Sequence, residues 1–460
     1  MTNSDAGVPP SLRWRDALVR PTVVSHRASD LHDMREANNT LVLRVIRQHG
    51  PLARVAIARR TGLSRTTVSS IVDGLLAEGV VREGETLSAA PSGGRRPTLV
   101  HFNESAGVIL GVDIGRTHFT LLATDLHAHV IARQSGPWDT DLGPDVCLPR
   151  LIGTIRQLIS ESQLDWDRVV GVGVGIPGPV DATLNMLVAP PRMAGWGGVD
   201  VTGILRAALG APVLLNNDAN LGALAESRYG AAIGASDFAY VKVGTGIGCG
   251  LVIDGKIYRG SSGVAGEFGH FTVINDGPLC DCGNRGCLEA VAGAPQIVRL
   301  ALSAGYGQGE ATARATANGK APQPTQDTEV DVAEVIQAAL RGDPACLSAV
   351  RRAAELIGVA LAGLVNLVNP SVILLDGSVS RAGELLLDPI REAIRERSLL
   401  AASRAARVQA SALGDSAIAL GAATMVIDAI FGPPVAIAHV ADEAAGAEAR
   451  ATAGTASSED

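Results

Sequence analysis

Four side chains with the chemistry of metal ligands, His270, Cys280, Cys282 and Cys287, fall in one short stretch, E-F-G-H-F-T-V-I-N-D-G-P-L-C-D-C-G-N-R-G-C-L-E. One imidazole and three thiolates are the donor set of a closed tetrahedral zinc site. No position is left for water, so the expected metal is structural. The Cys-x-Cys-Gly-x-x-Gly-Cys knuckle (270–287 with its histidine) carries glycines where the chain must turn sharply around an ion. A redox-active thiol pair is the alternative. Six cysteines in a chain of 460 residues do not make a disulfide scaffold.

A second constellation lies near the start. The segment A-R-V-A-I-A-R-R-T-G-L-S-R-T-T-V-S-S-I-V-D-G-L-L-A-E-G-V-V has helix-turn-helix spacing. Ala58 is small where two helices cross, Gly62 sits at the turn, and Ser64 can cap the next helix. Ser64, Arg65, Thr66, Thr67 and Ser69 then lie on the first turns of that helix, positioned to reach base edges in a major groove. Arg65 can pair a guanine through two hydrogen bonds. Two short strands, 80–85 and 98–102, flank the loop S-A-A-P-S-G-G-R-R-P and predict a wing. Its Arg95 and Arg96 can enter a minor groove or contact phosphates. An ordinary three-helix bundle with a solvated Ser/Thr face is the alternative.

The surrounding chain must position these groups. It is 47% hydrophobic and 19% charged, which is a globular composition of two to four structural units. The net charge of −8 argues against nucleic-acid binding, but it is unevenly spread. Residues 1–100 hold 14 Arg and no Lys against 9 acidic residues, a net of +5, so the remainder carries −13. The first ten residues contain no apolar signal core, and the longest apolar run, from Leu356, is broken by Asn366 and Asn369-Pro370. The expectation is a cytoplasmic protein without a membrane partner.

Residues 1–34 are polar and proline-dotted, and predict a mobile arm. A helix begins at Asn38 and ends at Gly50-Pro51; Leu41, Val42, Val45 and Ile46 share one face. The second helix falls within 52–61 and the third runs from Arg65 to Glu78. From Gly107 the pattern becomes α/β: three strands, a helix over 145–163, and a strand at V-V-G-V-G-V-G-I-P. A second strand pair follows at A-Y-V-K-V-G-T-G-I-G-C-G-L-V-I-D-G-K. Residues 305–329 predict a loop insertion, then come a helix over 345–368, a strand at S-V-I-L-L-D-G and two more helices. The Ala/Glu/Thr-rich tail, 436–460, predicts disorder. The boundaries that result are an arm (1–34), a winged helix-turn-helix domain with linker (35–103), an α/β domain (104–435) and the tail. The two strand–turn–strand units hint at a duplicated core without a sequence repeat.

The zinc stretch with Leu288-Glu289, the motifs G-V-G-V-G-I-P-G-P-V-D (171–181), N-N-D-A-N (216–220), G-T-G-I-G-C-G (244–250) and N-L-V-N-P-S-V-I-L-L-D-G together resemble the ROK family of repressors, open reading frames and kinases. The resemblance covers about residues 38–432, and the helix-turn-helix matches the repressor branch. It implies an actin-like (ribonuclease H-like) α/β domain of two lobes with a cleft between them. It implies a sugar pocket lined by Asn217, Asp218, Glu267, His270 and Glu289, and makes Asp218 the general base if the domain is a kinase. Carboxylates and amides suit a ligand whose hydroxyls both donate and accept. The resemblance places the kinase phosphate loops at D-I-G-R-T (Asp113, Gly115, Thr117) and at Gly244, Thr245 and Gly246, where backbone N–H groups can approach phosphates. ATP and magnesium would serve only an active kinase.

Two residues depart from the kinase pattern. Arg116 stands where the pattern has a second glycine, and Asp376 stands where Gly-Gly is usual near the nucleotide. A side chain at 116 is expected to restrict the backbone and crowd the γ-phosphate, and Asp376 to add repulsion. These departures favour a sugar-responsive repressor of carbohydrate-utilisation genes that senses without phosphorylating. The alternative is an active glucokinase-like enzyme that also binds DNA. A single recognition helix reads few bases, so a homodimer or homotetramer on operator DNA is expected.

Overall fold

The computed structural model describes residues 31–86, 96–181, 186–188, 193–307 and 330–432. These form two compact units: residues 31–102 together with Phe431 and Gly432, and Asn103–Ile430. The expected arm up to residue 30, the wing tip with Arg95, most of the 305–329 insertion and the tail lie outside the described residues.

In the first unit, α1 (Leu31–His49) starts at Leu31 rather than Asn38. No Gly or Pro interrupts residues 31–49, and Met, Arg, Glu and Ala extend the helix past its buried face of Val42, Val45 and Ile46. A two-residue strand, β1 (Leu52–Ala53), precedes α2 (Arg54–Thr61). Gly62 closes α2 at φ +71°, its N–H on the Ala58 carbonyl. The Ser64 hydroxyl caps α3 (Arg65–Ala77) by accepting from the Thr67 N–H at 3.1 Å. Val68, Ile71, Val72 and Leu75 of α3 are buried. Strands β2 (Val81–Thr86) and β3 (Thr98–Phe102) form the wing, and β1 joins them in the order β1-β3-β2. Phe431 completes this core, its ring edge-on to Phe102.

The second unit contains two five-stranded sheets. The first is built from β4 (Val108–Ile114), β5 (His118–Thr124) and β6 (Val130–Pro137), then helix α4 (Pro144–Glu161) and β7 (Val169–Ile176). A small ribbon, β8 (Val180–Asp181) with β9 (Met186–Leu187), and α5 (Val201–Leu209) lead to β10 (Val213–Asn217) and α6 (Asp218–Tyr229). The second sheet begins with β11 (Phe238–Val243), β12 (Ile247–Ile253) and β13 (Lys256–Ile257). Helices α7 (Leu288–Ala292), α8 (Ala294–Ser303), α9 (Val332–Leu340) and α10 (Pro344–Val368) follow. The chain ends with β14 (Val372–Asp376), α11 (Glu384–Arg397), α12 (Leu400–Ala405), β15 (Arg407–Ala410) and α13 (Ala417–Phe431). Three helices therefore follow β14 where two were expected. The extra one, α12, is only six residues long.

The strand orders are β6-β5-β4-β7-β10 and β13-β12-β11-β14-β15. In each sheet the first three strands are antiparallel neighbours and the last two add in parallel. The duplication is thus one of topology. Alternation in G-V-G-V-G explains the packing of the first sheet. Val172 and Val174 face the core shared with Leu148, Leu151 and Ile155 of α4 and Leu205 of α5. The glycines face α13: a methyl at Gly173 would stand 2.0 Å from the Ala422 carbonyl oxygen, and one at Gly111 2.0 Å from that of Ala419. The helix backbone rests on the sheet there. Gly173→Ala is expected to destabilise this unit by about 1–3 kcal/mol, read as a lower urea midpoint. An unchanged midpoint would contradict the packing. Gly421 of α13 in turn admits the Leu221 carbonyl of α6, and Gly250 of β12 admits that of Ala219. Helices α6 and α13 are held between the two sheets, which presents the first turn of α6 to the cleft. The window Gly414–Phe431 is long and apolar enough to cross a bilayer, yet 67% of it is buried within the protein.

Candidate functional site

A cleft of about 960 Å³ opens where strands of both sheets end. Asp113 reaches it from the end of β4, Asp218 from the first turn of α6, Gly244–Gly246 from the β11–β12 turn, and Gly377-Ser378 from beyond β14. Strand ends feeding a crevice are the usual ligand position in open α/β folds.

All five expected sugar residues line this cleft. Asn217 is also the cap of α6: its Oδ1 accepts from the Asn220 N–H and its Nδ2 donates to the Gly178 carbonyl, both at 3.1 Å. Asp218 is buried, with Oδ1 on the Ala219 N–H at 2.8 Å and Oδ2 on the Lys242 ammonium at 2.9 Å. Glu289 accepts from the Ile247 N–H at 2.9 Å. Burial raises the Glu267 carboxyl to about 7, with Asp218 and Glu289 adding like charge. His270 turns Nε2 toward Glu267, 3.8 Å from Oε2. Two groups in the cleft were missed. Asn220 is buried with its Oδ1 unpaired among the described residues, and Lys242 projects from β11. The N-N-D-A-N motif carried a signal for the first. For Lys242 the signal was its rarity, since lysine occurs at only three positions.

Most of the expected phosphate-loop residues line the same cleft: Asp113, Thr117, Gly244, Thr245 and Gly246 do, whereas Gly115 does not. A methyl on Gly115 would meet the His118 ring at 2.4 Å. Asp113 is buried, with Oδ2 3.4 Å from His118 Nε2 and Oδ1 unpaired among the described residues. Arg116 lines the cleft and holds Asp141 at 2.9 Å. It is not among the residues at positive φ, so its side chain costs no backbone strain there. Its effect is limited to space and charge. Asp376 accepts a hydrogen bond from the buried Tyr240 hydroxyl. Burial raises the Asp376 carboxyl, against the opposing pull of Tyr240, the Gly377 N–H and Lys242. Gly377 cannot be replaced freely: it sits at φ +88°, and a methyl would stand 2.5 Å from the Val243 carbonyl.

The ligand atoms of His270, Cys280, Cys282 and Cys287 all lie within 4.8 Å of one another. Cys280 Sγ is 3.6 Å from His270 Nδ1, and Cys282 Sγ is 3.7 Å from Cys287 Sγ. A tetrahedron with Zn–S near 2.3 Å and Zn–N near 2.0 Å has edges of about 3.5–3.8 Å. The four groups fit zinc. Burial raises the Cys280 thiol and drives the Cys287 thiol to about 12, so a cation is what would make thiolates stable here. Gly286, at φ +68°, lets the chain turn against Ile274, whose carbonyl a methyl would meet at 1.7 Å. With Nδ1 toward the cysteines, His270 Nε2 remains on the cleft side.

In the winged-helix unit, Arg65 and Thr66 are exposed, and Thr67 and Ser69 half-buried, on the first turns of α3. The Ser64 hydroxyl is engaged in capping and with the Thr66 and Thr67 hydroxyls. Ser70, exposed one turn beyond Thr66, is a further candidate that the sequence reading passed over. Arg54 ties α2 to Asp73 of α3 at 2.6 Å and to Glu83 of the wing at 3.1 Å. Arg96 is exposed at the wing's edge. Arg65→Ala is expected to cost about 1–3 kcal/mol of operator binding and to relax specificity at one base pair per half-site, read by anisotropy on single-base variants. Equal losses on all sequences would make Arg65 a phosphate contact.

The ROK family model matches residues 109–429, and the MarR family model matches residues 33–95. The chain is 31% identical over 409 residues to a xylose repressor of Caldicellulosiruptor bescii, covering 87% of this chain and 98% of the relative. The crystal structure of a ROK family transcriptional regulator, a homologue of the E. coli MLC protein, superposes with a TM-score of 0.69 at 26% identity, over 87% of this chain and 97% of that one. A ROK family glucokinase from Streptomyces griseus, in complex with glucose and AMPPNP, superposes with a TM-score of 0.58 at 31% identity, over 69% of this chain and 99% of that one. Family match, two-sheet topology and cleft agree: the chain belongs to the ROK family, with a MarR-type winged helix ahead of its ROK domain.

Proposed function

We propose that the chain is a sugar-responsive transcriptional repressor of carbohydrate-utilisation genes, whose ROK domain binds an aldose as effector. The observation that carries this reading is the coexistence of an exposed recognition helix and a polar cleft whose would-be base, Asp218, is held by Lys242. Asp218, Glu267 and Glu289 accept from sugar hydroxyls, Asn220 adds an open amide oxygen, and His270 donates from Nε2. Asn217 fixes the helix start that presents Asp218. His270, Cys280, Cys282 and Cys287 hold structural zinc, which orients the loop bearing Glu267. Arg65, Thr66, Thr67 and Ser69 read operator bases, and Arg95 and Arg96 contact the backbone or minor groove. The protein acts in the cytoplasm as a homodimer or homotetramer, matching a two-fold operator.

The experiment is a genomic DNA pull-down followed by competition with a panel of aldoses and aldose phosphates. A discrete set of pseudo-palindromic sites, with at least one sugar changing affinity by about 10-fold, is expected. Failure to retain any specific site would contradict the reading. A second reading, an active sugar kinase that binds DNA, is favoured by Asp113 and Gly244–Gly246 sharing the cleft with Asp218.

A further inference from the structure

Of 39 basic residues only Lys242, Lys256 and Lys320 are lysines; the rest are arginines. One of these three stands in the cleft. Lys242 lies on β11, directly across the parallel ladder from Asp376 of β14. Its side chain is 16% exposed, and its Nζ is 2.9 Å from Asp218 Oδ2. Asp113 from the end of β4 and Asp376 from the end of β14 line the same cleft as Lys242 and Asp218, and their charges favour the Lys242 ammonium. Burial pulls the ammonium down, but the carboxylates outweigh it and hold the group above the ordinary lysine range. Lys242 is therefore a charged group.

Three carboxylates converging on a cleft rimmed by glycine turns form an oxygen donor set for a hard divalent cation. Phosphoryl transfer requires such a cation to bridge and neutralise phosphates. An ammonium is a compact point charge with three donors, whereas the planar guanidinium used elsewhere in this chain is not. We propose that Lys242 is a resident counter-cation that takes the place of a divalent metal ion between Asp113, Asp218 and Asp376, so that the cleft holds its ligand without magnesium. Lys242 is thus a specificity-determining residue: it sets the cleft against a metal nucleotide and leaves room for an uncharged polyol. The ligand's identity rests on the sugar-sensing reading; the cation's place does not.

The test is manganese titration followed by electron paramagnetic resonance, on the full chain with its zinc site loaded. Wild type is expected to show no Asp218-dependent Mn²⁺ site up to about 10 mM. Lys242→Met keeps the length and removes the charge, and is expected to gain a site at least about 10-fold tighter. Adding Asp376→Asn to Lys242→Met should weaken that site again. A wild-type Mn²⁺ site that Asp218→Asn abolishes overturns the proposal, as does a folded Lys242→Met that gains none. Lys242→Thr serves as a second neutral variant if the methionine form does not fold. If neither folds, the wild-type titration decides alone, because an Asp218-dependent site overturns the proposal and its absence supports it. Aldose binding to the same wild-type sample in magnesium-free buffer is read separately. If no aldose binds, the sugar reading fails, and the manganese result still decides the role of Lys242.

Discussion

Cys282→Ser is expected to reduce zinc from about one ion per chain to near zero and to weaken aldose binding at least about 10-fold. Both losses follow from one geometry. His270 offers Nδ1 to the cysteine cluster, while its Nε2 faces Glu267 and the cleft. Without the ion the ring is no longer anchored, and buried Cys287, its thiol raised to about 12, stays protonated. The knuckle depends on local turns, such as Cys280 N–H to the Asn284 carbonyl at 2.8 Å and Gly283 N–H to the Cys280 carbonyl at 2.9 Å. Those bonds alone do not fix where His270 points. Metal analysis and isothermal titration on wild type, Cys282→Ser and chelator-stripped wild type provide the comparison. Wild type purified without chelator yet lacking zinc would sink the assignment. Full aldose affinity in a zinc-free variant would show that the metal does not orient the cleft.

The second large effect is a missing activity. A coupled assay with glucose, xylose, mannose, N-acetylglucosamine and N-acetylmannosamine at millimolar concentration is expected to give turnover well below about 1 s⁻¹. Asp218 is the residue expected as general base, but Lys242 holds its Oδ2 at 2.9 Å. Arg116, paired with Asp141 at 2.9 Å, lines the cleft at the expected first phosphate loop, and Asp376 brings a buried carboxyl to the same cleft. Phosphoryl transfer depends on positioning and charge complementarity, so each of these acts against it. Turnover near ordinary enzyme rates with any of the sugars would favour the kinase reading. Arg116→Gly alone is not expected to restore activity, because Lys242 and Asp376 remain.

The two sheets were legible where strands alternate cleanly with helices, as from V-V-G-V-G-V-G-I-P to P-V-L-L. The clustering of His270, Cys280, Cys282 and Cys287 was legible because Cys-x-Cys-Gly-x-x-Gly-Cys has few other physical uses. The start of α1 was not, since Leu31–Asn38 is polar on most faces and periodicity gives no boundary. Strand β1 is two residues long and exists only through its pairing with Val100 and Leu99 of β3. Lys242 was overlooked for a different reason. Within A-Y-V-K-V it reads as the solvent-facing member of an alternating strand, and only the fold reveals that its face meets the first turn of α6. Arg116 is legible as a departure from the kinase pattern, and with no positive φ at that position its side chain acts through space and charge rather than through backbone strain.

Asp218→Asn separates sensing in the cleft from binding to DNA. Fluorescence anisotropy on an operator recovered from the pull-down compares wild type with this variant, each titrated with the effective aldose. Wild type is expected to change operator affinity by about 10-fold or more on saturation, and Asp218→Asn to bind the same operator with unchanged affinity but lose most of the response. An equal sugar response in both proteins, or a wild type whose operator affinity no aldose alters, would contradict a cleft that senses sugar for the DNA-binding unit.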